Sequence, residues 1–215
     1  MFLLFFACST ADPEIMQVDL RIHATLAEAG TEIREELVIY LDIHDPDGIE
    51  DVAWVVVELP EYGIGWELED EDLHYVQRGE EHWFGSALIV PGRHRIPRGI
   101  VRVIVGDLSG RTAERRIRIP GSTIVPNEAD FPVPDGEGRI ALSPGATRHF
   151  LYREGYYREL YRSEPRENDD GGRYHLNPEV LDELGDEPFQ LVAEWSPFLW
   201  MESGPWDYSD FSRPR

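Results

Sequence analysis

The chain has 215 residues, 41% of them hydrophobic and 29% charged, an ordinary globular composition with apolar material for one or two cores. Its 42 acidic residues outnumber 20 basic ones, all of them arginine, for a net charge of −22. Such a surface repels phosphate backbones, so no nucleic-acid partner is expected, and it resists aggregation at high ionic strength. An arginine-favouring codon bias explains the lack of lysine equally well. The single cysteine, Cys8, rules out an internal disulfide, so the fold must rest on packing alone.

The chain opens with "MFLLFFACST". Met1 to Ala7 is too short to cross a bilayer, which takes about 20 residues. It also lacks the basic segment that starts a complete secretory signal. Its order is that of a signal's end: an apolar run, a small residue, then a cysteine. Leu4, Phe5, Phe6, Ala7 and Cys8 resemble the lipobox of bacterial lipoproteins, in which the signal is cut before a cysteine that then carries lipid. Ala7 suits the cut; Phe5 and Phe6 fit only a looser form of the pattern. The resemblance implies lipid attachment at Cys8, a membrane partner, a cell-envelope location and a natural start upstream of Met1. Ser9 carries no inner-membrane retention acid, which allows an outer-membrane destination. The polar stretch Ser9 to Glu14 would then be a tether, with residues 1–15 forming signal remnant, lipobox and tether. A frayed apolar terminus with a chance cysteine is the plainer alternative.

From Met16 onward the pattern alternates with period two, the mark of half-buried strands. Val18, Leu20, Ile22, Ala24 and Leu26 share one face. Leu37, Ile39, Leu41 and Ile43 share another, as do Val52, Trp54 and Val56, and then Val101, Val103 and Val105. "WFGSALIVPG" and "ERRIRIP" complete about seven strands, separated by Asp- and Gly-rich turns at 45–48 and 107–110. "DIHDPDGIEDVAWVVV" and "GIVRVIVGDLSGRTAERRIRI" resemble strand passages of bacterial immunoglobulin-like and fibronectin-III-like domains of the disulfide-free kind. The resemblance implies an Ig-like β-sandwich over residues 16–120, with Trp54 at a frequent core-aromatic position.

The Pro- and Gly-rich stretch 121–138 reads as a linker. Beyond it, "GRIALSP", "TRHFLYREG", "YYRELYRS" and "PFQLVAEWSP" read as strands of a second, smaller β-sandwich over 139–215. "NPEVLDELG" reads as one short helical turn, capped by Asn177 and ended by Gly185. The expected fold class is therefore all-β.

Residues with chemical potential are few. Asp45, Asp47 and Asp107 lie in turns that can share one pole of a sandwich, where convergent carboxylates suit Ca²⁺. Ordinary turn chemistry also calls for Asp at these places. Glu67 to Asp72 holds five carboxylates in six residues and reads as a solvated loop. The seven histidines show no metal-ligand spacing, and Ser86 lacks the context of a nucleophile elbow. No catalytic residues and no other cofactor are assigned.

The segment 193–211 is rich in aromatics. Trp200, Trp206 and Tyr208 fall in turn-rich sequence, where exposed rings can stack on sugars or peptides. Core filling is the alternative use of such rings. The expectation is a non-catalytic, lipid-anchored envelope module that binds a protein or glycan partner or acts as a spacer. A carbohydrate-binding accessory or a glycoside-active envelope enzyme, with Glu194 or Asp207 beside the aromatics, is the second reading.

Overall fold

The computed structural model describes residues 11–26, 32–69, 72–78, 81–92, 94–121, 123, 125–134, 139–143, 145–153, 156–160, 173–175 and 188–206. The protein is all-β, with its sheets arranged as sandwiches. The described residues contain no α-helix, only 3₁₀ turns at Ile49–Asp51, Pro60–Tyr62 and Glu128–Asp130. The predicted helical turn at 177–185 lies outside the described residues.

Two compact units divide the chain. The first takes Met1–Leu20, Leu37–Pro91 and Ile96–Ser122; the second takes Arg21–Glu36, Gly92–Arg95 and Thr123–Arg215. Strands β1 (Glu14–Leu26) and β2 (Ile33–His44) each contribute to both.

In the first unit the strands are β1 up to Leu20, β2 from Leu37, β3 (Val52–Leu59), β4 (Ile64–Leu68), β5 (His74–Arg78), β6 (Glu81–Leu88), β7 (Ile100–Asp107) and β8 (Thr112–Arg118). One sheet has the order β1-β2-β6-β5 and the other β4-β3-β7-β8. The inner faces are those predicted from period-two alternation on β2 and β7. Leu37, Ile39, Leu41 and Ile43 are buried, as are Val101, Val103 and Val105. Each such aliphatic side chain contributes roughly 1.5–3 kcal/mol by leaving water.

Strand β3 corrects the predicted phase. Val55, Val57 and Leu59 are buried, while Trp54 and Val56 are only half-buried and share the outer face with Glu58. The cause is a register shift between Val52 and Trp54 in the antiparallel pairing of β3 with β7. One extra residue in one strand moves every later side chain to the opposite face. In "VAWVVV" both phases are apolar, so pattern alone cannot choose between them. Trp54 is therefore not a core aromatic. It pairs across the strands with Gly106, and its ring occupies the space where a side chain at 106 would stand. Tyr40 covers Gly85 in the same way on the β2–β6 pair.

The outer face of β3-β7-β8 carries a charge ladder. The Arg102 guanidinium donates to Glu58 at 3.0 Å and to Glu114 at 2.9 Å, and Arg116 donates to the other Glu114 oxygen at 2.7 Å. Hydrogen bonds from Arg102 and Arg116, with their positive charges, hold the Glu114 carboxyl below the ordinary glutamate range. On β8, Arg115 also donates to the Ile15 carbonyl oxygen of β1 at 3.0 Å.

In the second unit the remaining strands are β9 (Val133–Pro134), β10 (Arg139–Ala141), β11 (Arg148–Arg153), β12 (Tyr156–Leu160), β13 (Arg173–His175), β14 (Phe189–Ser196) and β15 (Leu199–Trp206). The larger sheet runs β12-β11-β14-β15-β1, and a smaller one runs β13-β10-β9. β1 and β15 pair in parallel, with Ile22 opposite Leu199 and Leu26 opposite Ser203. Ile22, Ala24, Leu151, Leu191, Ala193, Leu199 and Met201 line the core, with Phe131 and Ile140 from the connecting stretch and the small sheet. The Ser203 hydroxyl donates to the Pro132 carbonyl oxygen in this core. The stretch read as a linker thus holds the turn Glu128–Asp130, closed by a capping box between Asn127 and Asp130, and strand β9.

Two outcomes test this description. At Gly85 an added methyl group meets the Tyr40 ring and stands 2.5 Å from the Ile39 carbonyl oxygen, which belongs to the backbone and cannot move aside. Gly85→Ala is expected to cost about 1–3 kcal/mol in urea unfolding, the usual range for overpacking. Glu114 has its folded pKa depressed, so its contribution is present above the ordinary glutamate pKa and lost as pH falls through the lower, folded value. Glu114→Gln is therefore expected to lower the urea midpoint at pH 7, with the difference shrinking as the pH falls below the ordinary glutamate range.

Candidate metal centre

Two turns of the first unit meet at one pole. The β2–β3 connection carries "HDPDGIED" and the β7–β8 turn carries "DLSGR". Asp45 begins an Asx-type turn: its Oδ1 accepts the Asp47 backbone N–H at 2.8 Å, and its carbonyl accepts that of Gly48 at 3.1 Å. Gly48 has φ of 113°, a conformation open to glycine and strained for other residues. The 3₁₀ turn Ile49–Asp51 follows, and the Leu108 N–H donates to the Asp51 carbonyl at 2.9 Å, which ties the start of β3 to the end of β7.

Asp107 closes the other turn. Its Oδ1 accepts the Ser109 hydroxyl at 2.7 Å and the Arg111 backbone N–H at 2.8 Å. Gly110 at φ 83° completes the turn. The outcome is a cluster of three carboxylates. Asp45, Asp51 and Asp107 each offer one oxygen, and the three oxygens lie within 4.8 Å of one another. Asp45 and Asp107 are buried, and Asp51 is half-buried.

The electrostatics match the geometry. Burial, together with the negative charges of Asp45, Asp107 and Asp47, pushes the Asp51 carboxyl above the ordinary aspartate range; Arg111 opposes this in part. Burial also acts to raise Asp107. The Ser109 hydroxyl, the Arg111 and Ser109 backbone N–H groups and the Arg111 charge outweigh it, and its carboxyl stays below the ordinary range. Arg111 is further held by the Ala11 carbonyl at 2.7 Å and lies 4.0 Å from Asp12.

Of the residues predicted for Ca²⁺, Asp45 and Asp107 come together and Asp47 does not belong to the group. Asp47 is exposed, and its part in the turn is the backbone N–H that it gives to Asp45. Asp51 takes its place. Sequence reasoning passed over Asp51 because it stands at the end of the turn stretch, where a strand was expected to begin. A one-turn helix at Ile49–Asp51 folds it back toward Asp45, and Gly48 before it was the available clue.

The C-terminal aromatics divide differently. Trp200 is half-buried on β15. Its ring stacks on Phe150 at 5.9 Å between centroids, and the Arg21 guanidinium sits 4.2 Å from its centroid. Glu194, its cross-strand neighbour on β14, accepts a hydrogen bond from Arg148 at 2.5 Å. The backbone of Trp206 ends β15, opposite Phe189. The Trp206 side chain, Tyr208 and Cys8 lie outside the described residues.

Asp107 tests the turn architecture. Asn retains the Oδ1 acceptor and Ala removes it, so Asp107→Ala is expected to unfold at lower urea than Asp107→Asn; equal midpoints would show that the β7–β8 turn does not depend on this acceptor. No protein-family model matches the chain, and no curated protein matches it either.

Proposed function

We propose that this chain is a non-catalytic, lipid-anchored module of the bacterial cell envelope, tethered through Cys8, that presents an Ig-like sandwich to a protein or glycan partner. The observation that carries this reading is the strand order of the first unit. Immunoglobulin-type sandwiches place strands A, B, E and D on one sheet and C, F and G on the other, with C′ added beside C in some forms. The orders β1-β2-β6-β5 and β4-β3-β7-β8 follow that scheme, with β4 as C′. Scaffolds of this kind carry binding residues on loops held by a rigid body.

Further support comes from the surface. A net charge of −22 suits a protein that stays dispersed outside the cytoplasm. The absence of cysteine beyond residue 8 leaves the thiol at Cys8 free of competing pairings for acylation. Each buried CH₂ of an acyl chain contributes about 0.8 kcal/mol, so two or more chains anchor firmly.

The test is mass spectrometry of the protein extracted from the membranes of its native host. The expected mature N-terminus is an acylated Cys8, and Cys8→Ala is expected to shift the protein out of the membrane fraction. An unmodified Cys8 within a longer mature chain would refute the anchor.

A further inference from the structure

We propose that Asp45, Asp51 and Asp107 form a Ca²⁺ site that locks the β2–β3 and β7–β8 turns together at one pole of the first unit. The three oxygens within 4.8 Å of one another are one observation. A second, independent of their proximity, is that two carboxylates are incompletely satisfied. Asp45 is 6% exposed and Asp107 is 2% exposed, and the Oδ2 atom of each is buried with no hydrogen-bond donor among the described residues. Their Oδ1 atoms are already engaged by backbone N–H groups, which fixes both carboxylates in place and leaves Oδ2 as the spare ligand.

Buried carboxylate oxygens almost always have a donor or a cation. Three like charges held this close call for the cation. Among the described residues one guanidinium, that of Arg111, acts on the cluster, against Asp45, Asp51, Asp107 and the neighbouring Asp47. That leaves a net negative pole, which a divalent ion is suited to neutralise.

The donor set selects the metal class. All three side chains are carboxylates, and no His or Cys belongs to the group, so zinc and the softer metals lack their preferred ligands. Ca²⁺ accepts irregular oxygen cages and fills remaining positions from backbone carbonyls and water. Mg²⁺ demands near-octahedral geometry and gives up its water shell reluctantly. Ligands from two turns distant in sequence favour the more tolerant ion. The site goes beyond the envelope reading and stands apart from it: an unacylated Cys8 would leave Ca²⁺ binding untouched.

The experiment uses the full chain, stripped with EDTA and titrated with CaCl₂ and MgCl₂ while thermal unfolding is followed. Tb³⁺ provides a second readout, because Trp54 packs on Gly106 next to Asp107 and can sensitise a lanthanide bound there. The expected result is one Ca²⁺ per chain with Kd of about 10⁻⁴–10⁻³ M, the weak end of protein Ca²⁺ sites, as suits three carboxylates completed by water. Mg²⁺ is expected to bind at least tenfold more weakly, and Ca²⁺ is expected to displace Tb³⁺ and quench its sensitised emission. Asp51→Asn is expected to weaken Ca²⁺ at least tenfold while melting in EDTA no lower than the parent; Asp45→Asn serves as the second variant, and Glu50→Gln, exposed beside the site, is expected to bind as the parent does. No shift in melting and no sensitised emission at about 10 mM ion, ten times the weakest affinity expected, overturns the proposal. Unchanged Ca²⁺ affinity in both Asp variants overturns it as well.

Discussion

The first unit depends on the antiparallel pairing of β3 with β7. Val55 opposite Val105 and Val57 opposite Val103 give it a core in which all four side chains are withdrawn from water. The same ladder ends in a register shift, where Trp54 lies over Gly106 and the Asp51 carbonyl receives the Leu108 N–H. Core, outer aromatic cover and acidic pole are therefore consequences of one strand pair. In many small domains a disulfide is the brace. Here aliphatic packing, with an aromatic ring laid over each of two strand glycines, does that work.

Charge is distributed with equal economy. With 42 acidic residues against 20 arginines, most carboxylates must be solvated. Where they are gathered, an arginine fork divides them, as Arg102 does between Glu58 and Glu114; the buried Glu35 is paired with Arg95 at 3.2 Å. The bidentate geometry of guanidinium suits this role better than ammonium. At the pole of Asp45, Asp51 and Asp107 the charge of Arg111 opposes three clustered carboxylates and only partly offsets their mutual repulsion at Asp51.

Much of the fold was legible where branched aliphatic residues recur at every second position. Leu37 to Ile43 and Val101 to Val105 read directly as buried faces because the intervening positions include charged or half-exposed residues. β3 was legible as a strand and illegible in phase, since six successive apolar residues satisfy either face and a bulge, which leaves no compositional trace in "DVAWVVV", made the choice. Short strands such as β4 and β5 escaped for a different reason: five residues give a period of two too few repeats to stand out, even where Ile64, Trp66 and Leu68 alternate along β4. In the acidic cluster, Asp45 and Asp107 were visible through turn punctuation. Asp51 was not, because its role depends on a single 3₁₀ turn rather than on spacing. The cation–π contact of Arg21 with Trp200 joins residues about 180 positions apart, a distance over which pattern has nothing to say.

The parallel pairing of β1 with β15 has a practical consequence for anyone dissecting the protein. The carboxyl-terminal half, cut free after residue 120, leaves behind Ile22–Leu26 and so strips Leu199–Ser203 of one full row of backbone partners. Such a fragment exposes a raw sheet margin with apolar Leu199 and Met201 along it, the kind of surface that recruits stray strands. Deletion series therefore belong on the intact polypeptide, with point changes in place of scissors.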